Sequence, residues 1–129
     1  MTKYWYTREV NLTFDTALDK VELALWKEWF GILSRIDIKS KIKEKLWKDF
    51  DDYIVLWACN PKLAYEAIQN ELEIWLLLPC NIIIYNNKWK IYVSTIVPTV
   101  AMDIVNNQKV LEVARIAEEK LKRAIDSVK

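Results

Sequence analysis

Gly31 is the sole glycine in 129 residues, so every place where the backbone must turn left-handed has to be filled by a residue that carries a β-carbon. Positive φ is cheap only for glycine, and an average chain keeps ~7% of it, much of it for helix ends and tight turns. Tryptophan shows the opposite anomaly, with seven residues, and the deficit and the excess nearly cancel. Three of these tryptophans stand where glycine is ordinarily wanted. Trp29 and Trp47 follow the ends of helical patterns, the second after a lysine-bearing turn, and Trp89 closes a connection between two strand patterns.

Periodicity supplies the elements. Tyr4 to Leu12 alternates and is rich in aromatic and β-branched residues, as a strand does. Thr13 to Asp15 offers N-caps for a helix over Thr16 to Glu28, whose apolar stripe is Ala17, Leu18, Val21, Ala24 and Leu25. Gly31 to Ile38 reads as a strand and Ser40 to Leu46 as a short surface helix. Tyr53 to Ala58 is a continuous apolar run, which predicts a strand covered on both faces. Asn60-Pro61 is a strong start signal, cap followed by proline at the first helical position, for a helix over Pro61 to Asn70. Asn81 to Tyr85 and Lys90 to Val97 form a hairpin through Asn86-Asn87-Lys88-Trp89, and an irregular stretch after Pro98 leads past Asn106-Asn107 into a long helix. Its stripe is Val110, Ala114, Ala117, Leu121, Ala124 and Val128. The order predicts one α+β domain over residues 1–129: two layers, a mainly antiparallel sheet with its helices on one face. The two strands of the hairpin are too close for a crossover helix, which argues against a doubly wound parallel sheet.

The totals exclude several functions. There is no histidine, which removes His-based acid/base catalysis, every Ser-His or Cys-His nucleophile pair and the usual zinc sites. Nineteen Lys and Arg against 18 acids leave a net charge of +1, no general attraction for nucleic acid or anionic membrane, and neither is expected as a partner. The most apolar stretch, Ile74 to Tyr85, is interrupted by Pro79, Cys80 and Asn81 and is far short of the ~20 residues that span a bilayer. Two cysteines are too few for a disulfide scaffold, and Met1 to Tyr6 lacks the apolar core of a secretory signal, so the compartment is read as cytoplasmic.

Leu56-Trp57-Ala58-Cys59-Asn60-Pro61, with Leu63-Ala64 beyond, and Leu76-Leu77-Leu78-Pro79-Cys80-Asn81 resemble the two signature stretches of the domain of unknown function 302 family. Phe30-Gly31-Ile32-Leu33 and Ile36-Asp37-Ile38-Lys39 fit as well. The resemblance implies a fold similar to one copy of the TATA-binding-protein-like domain, and homodimers, but no established activity. It also implies glycine where this chain has Trp5, Trp29, Trp47, Trp57, Trp75 and Trp89, which raises the question of whether these residues come from a codon that the host assigns to glycine.

Chemistry-bearing candidates are few. Cys59, just before the Pro61 helix, would have its thiolate favoured by the helix dipole, and Cys80 precedes a strand. The pair is expected to lie close together and to form, with the amides of Asn60 and Asn81, one shallow site at the helix N-terminus. Packing alone accounts for the same residues: two small hydrophobes, a helix cap and a strand start. Lys39, Lys41, Lys43, Lys45 and Lys48, with Arg35 nearby, read as a solvated basic face, Asp49, Asp51 and Asp52 as its charge balance, and Tyr65 as packing. No cofactor is identified. The leading expectation is a non-enzymatic module that binds or senses a small molecule and acts as a homodimer; the alternative is thiol redox or sulfur transfer through Cys59 and Cys80.

Overall fold

The computed structural model describes residues 3–129; Met1 and Thr2, part of the opening segment read for a leader, lie outside them. The chain runs β1 (Trp5–Val10), α1 (Phe14–Lys27), β2 (Gly31–Asp37), α2 (Ile38–Leu46), β3 (Tyr53–Cys59), α3 (Pro61–Asn70), β4 (Cys80–Asn87), β5 (Lys90–Ile96), α4 (Pro98–Ala101) and α5 (Gln108–Asp126). Short 3-10 turns occupy Ile74–Leu76 and Asp103–Val105. Among the described residues the strands form one five-stranded sheet in the order β1-β5-β4-β3-β2, and every pairing is antiparallel. The expected α+β class and antiparallel sheet are therefore what the chain adopts.

Local chemistry explains most boundaries. Thr13 caps α1 by accepting the amide of Thr16, Asp37 caps α2 by accepting that of Ser40, and Asn107 caps α5 by accepting those of Lys109 and Val110. β4 and β5 reach further toward each other than the sequence pattern indicates. Asn87 pairs with Lys90, so the connection shrinks to Lys88-Trp89, both at positive φ, as in a type I′ hairpin.

α1 carries the chain from β1 at one edge of the sheet to β2 at the other, and α5 returns beneath β1 and β5. Between these helices and the sheet lies the core, where Leu25, Leu56, Ile82, Ile84, Val93 and Leu121 are fully buried. The expected stripe of α5 is buried at every named position. One expectation for β3 fails: its core side, Leu56 and Ala58, is buried, but Trp57 on the other side is 40% exposed. The reason is architectural, because α1 and α5 pack on the same side of the sheet and, among the described residues, neither reaches the other side. Among the described residues no helix is long and apolar enough to cross a membrane.

Candidate functional site

β3 ends at Cys59 and hands the chain directly to Asn60, the buried N-cap of α3, with Pro61 in the first turn. The Asn60 side-chain oxygen accepts the Leu63 amide at 3.2 Å, and its amide nitrogen donates to the Glu28 carbonyl at 3.3 Å. Glu28 caps α1 and its carboxylate takes two bonds from Arg123 of α5, at 2.8 and 2.9 Å. One asparagine thus ties the start of α3 to the end of α1, and its polar atoms are committed to that task.

Cys80 opens β4 opposite Ala58, which makes Cys59 its diagonal neighbour across the two strands. Around them Phe30, Leu63, Ala114 and Met102 line a small pocket of about 30 Å³. That is space for a water or two, since one water needs ~10–15 Å³ of such volume. Burial pushes the Cys80 thiol up to about 12, with a smaller contribution from the neighbouring Cys59, and burial also raises Cys59. The dipole of α3 was expected to favour a thiolate here. Loss of hydration penalises the charged form more, so both sulfurs are protonated at neutral pH.

Asn81 does not join this group. It pairs with Trp57 and is exposed on the opposite side of the sheet, because successive residues of a strand point to opposite faces. There it lines an open groove of about 730 Å³ with Ser34, Trp57, Trp75, Leu77 and Ile96. The four candidates therefore divide into Cys59, Asn60 and Cys80 about a small apolar pocket, and Asn81 in a wide groove on the open face.

A face left free of helices follows from the expected two-layer order, but its aromatic and aliphatic composition is not read from the sequence. Tyr53, Tyr85 and Tyr92 stack across three strands, with ring centroids 5.5 and 5.2 Å apart and planes within 22° of parallel. Burial raises the phenols of Tyr53 and Tyr85, which favours their neutral form. Beside it, Val55 is opposite Ile83 and Ile83 opposite Ser94, while Trp5 is opposite Ile96 at the edge. The pattern Tyr53-x-Val55-x-Trp57 against Asn81-x-Ile83-x-Tyr85 could have revealed it. It was obscured because the residues between them are apolar too, so the run reads as buried on both sides.

Other candidates resolve simply. α2 buries no residue, and its lysines meet nearby acids: Lys39 with Asp52 at 3.3 Å and Lys43 with Asp49 at 3.0 Å. Arg35 pairs with Glu22 of α1. Among the described residues no group of three or more potential Cys, Asp or Glu ligands could hold a metal ion. Tyr65 was read as packing, yet it is 64% exposed on the outer side of α3.

Comparison with known proteins gives the relatives. Residues 6–128 match the family described as Domain of unknown function DUF302. The crystal structure of an uncharacterized conserved protein DUF302 from Bacillus stearothermophilus superposes with a TM-score of 0.93 at 25% identity, covering 99% of this chain and 100% of that one. No curated protein matches the chain.

Proposed function

Because the chain belongs to the DUF302 family of domains of unknown function, whose name carries no activity, we propose from the site itself that it is a non-enzymatic binding module. It acts as a homodimer whose second copy covers the open sheet face, with a small, largely apolar ligand held in the groove at the rim of that face. The carrying observation is the near absence of charge on the sheet face opposite α1 and α5, among the described residues. Tyr53, Val55, Ile83, Tyr85, Tyr92 and Ile96 are partly buried or intermediate there, and the charges of β1 and β5 meet at one border, where Lys90 and Glu9 are 3.8 Å apart.

Size supports the reading. With strands ~4.8 Å apart and residues rising ~3.4 Å, such a face measures roughly 500 Å² in plan. A specific interface buries about 800 Å² per partner, which side-chain relief and the flanking Trp75 to Pro79 segment bring within reach. The groove lies in the range of ~300–1,000 Å³ usual for small-molecule sites, and Ser34 and Asn81 supply the few polar groups that orient a ligand. The thiols argue against the redox alternative, since each is held in its less reactive protonated form.

Sedimentation of the chain at micromolar concentration tests the proposal. A dimer is expected, and Ile83→Asp, which places a charge at the centre of the face, should sediment as a folded monomer. A monomeric parent chain overturns the reading. Native mass spectrometry of the protein drawn from its host should show a small-molecule adduct that Cys80→Ser retains and Asn81→Leu loses.

A further inference from the structure

The chain's left-handed residues and its glycine are in different places. Among the described residues positive φ occurs at Trp29 (68°), Trp47 (57°), Lys88 (52°), Trp89 (70°) and Asn106 (55°), and at no glycine. Tryptophan supplies seven of 129 residues, yet three of these five positions. Asparagine tolerates this region, since its short side chain bonds locally, whereas a bulky side chain there is a steric outlier.

Each tryptophan sits in a motif that selects glycine. After α1, the Trp29 amide donates to the Trp26 carbonyl at 3.0 Å and the Phe30 amide to the Leu25 carbonyl at 2.9 Å. That is the paired bonding of a Schellman motif with Trp29 at the left-handed C′ position, completed by the buried Phe30 after it. Trp47 ends α2 in the left-handed conformation, donating to the Lys43 carbonyl at 3.0 Å. Trp89 is the second residue of the type I′ hairpin turn, where glycine is preferred most strongly.

Nothing in the packing explains an indole at these positions. The three are 74%, 82% and 95% exposed, so little buried area offsets the backbone strain. Gly31, by contrast, is at an ordinary strand position, and a β-carbon there would meet nothing closer than the Cys59 carbonyl at 3.9 Å. The sole glycine is thus placed where a β-carbon fits, while three sites that favour glycine carry the largest side chain.

We infer that positions 29, 47 and 89 are glycine in the protein that the host makes, and that their codons are UGA, which different genetic codes read as tryptophan or glycine. The remaining tryptophans have no positive φ and lie outside the inference. Peptide mass spectrometry of the protein from its host tests it directly: peptides spanning the three sites should each be lighter by the tryptophan-to-glycine residue mass difference. Tryptophan in those native peptides, or UGG codons at the three sites, overturns it. A second measurement uses the recombinant chain that carries tryptophan throughout. Trp29→Gly, Trp47→Gly and Trp89→Gly combined should raise the urea midpoint, and an unchanged or lower midpoint also overturns the inference.

Discussion

Asn60 shows how one side chain can be committed to structure. Its two bonds cap α3 and hold the α1 terminus, and it is buried at 7% exposure. Loss of an N-cap costs about 0.5–2 kcal/mol, and the Glu28 carbonyl would lose a donor as well. Asn60→Ala is therefore expected to lower stability by roughly 1–3 kcal/mol, read as a fall in the urea midpoint. Asn60→Asp keeps the acceptor and should recover part of the loss. The cysteines beside it predict a kinetic difference. Cys59 is half-buried and Cys80 buried with its thiol pushed up to about 12. At pH 8, alkylation should be slow at Cys59 in Cys80→Ser, and at Cys80 in Cys59→Ser it should wait for unfolding. Rapid reaction at Cys80 in the folded protein would revive the thiol alternative.

Between elements, the ties that respond to pH are carboxylates on α5 and its neighbours. The Arg123 guanidinium holds Glu28 below the ordinary value of 4.5, against opposing burial. Burial pushes Glu118 upward, but bonds from the Thr99 hydroxyl and amide and from Lys122 outweigh it, so Glu118 too is held low. Through Glu118, α5 anchors α4 at 2.6 and 3.0 Å. A carboxyl lowered by folding contributes stability that is complete above its unfolded value and is lost as pH falls through its folded one. The urea midpoint is therefore expected to be insensitive to these groups from pH 7 to about 5 and to fall below about pH 4.5. Glu118→Gln should lower the midpoint at pH 7 and flatten the acid limb. An equally steep limb in that variant would place the acid sensitivity elsewhere.

For the whole molecule, the proposed pairing of two copies through the sparsely charged sheet face makes a prediction about concentration. If a second copy binds only the folded chain, mass action raises the unfolding midpoint as protein concentration rises. Tm should climb across a hundredfold concentration series for the parent chain and stay constant for Ile83→Asp; a constant parent Tm would contradict dimerisation. The helices were legible in the sequence because a 3.6-residue stripe and a cap are local: Asn60-Pro61 announces α3, and the stripe from Val110 to Val128 announces α5. The left-handed turns at Trp29, Trp47 and Trp89 were legible for the same reason, since chain reversal is set within a few residues. What only the tertiary structure decided is which side of each strand meets the helices. Leu56 and Trp57 both read as apolar in the sequence, and they part company only because α1 and α5 pack together on one side of the sheet. The same alternation sends Cys80 inward and Asn81 outward, dividing an expected single site into a small apolar pocket and a wide groove. Burial of the thiols likewise depends on elements distant in the chain. Desolvation is a property of the assembled surroundings, whereas caps and periodicities belong to the segment that carries them.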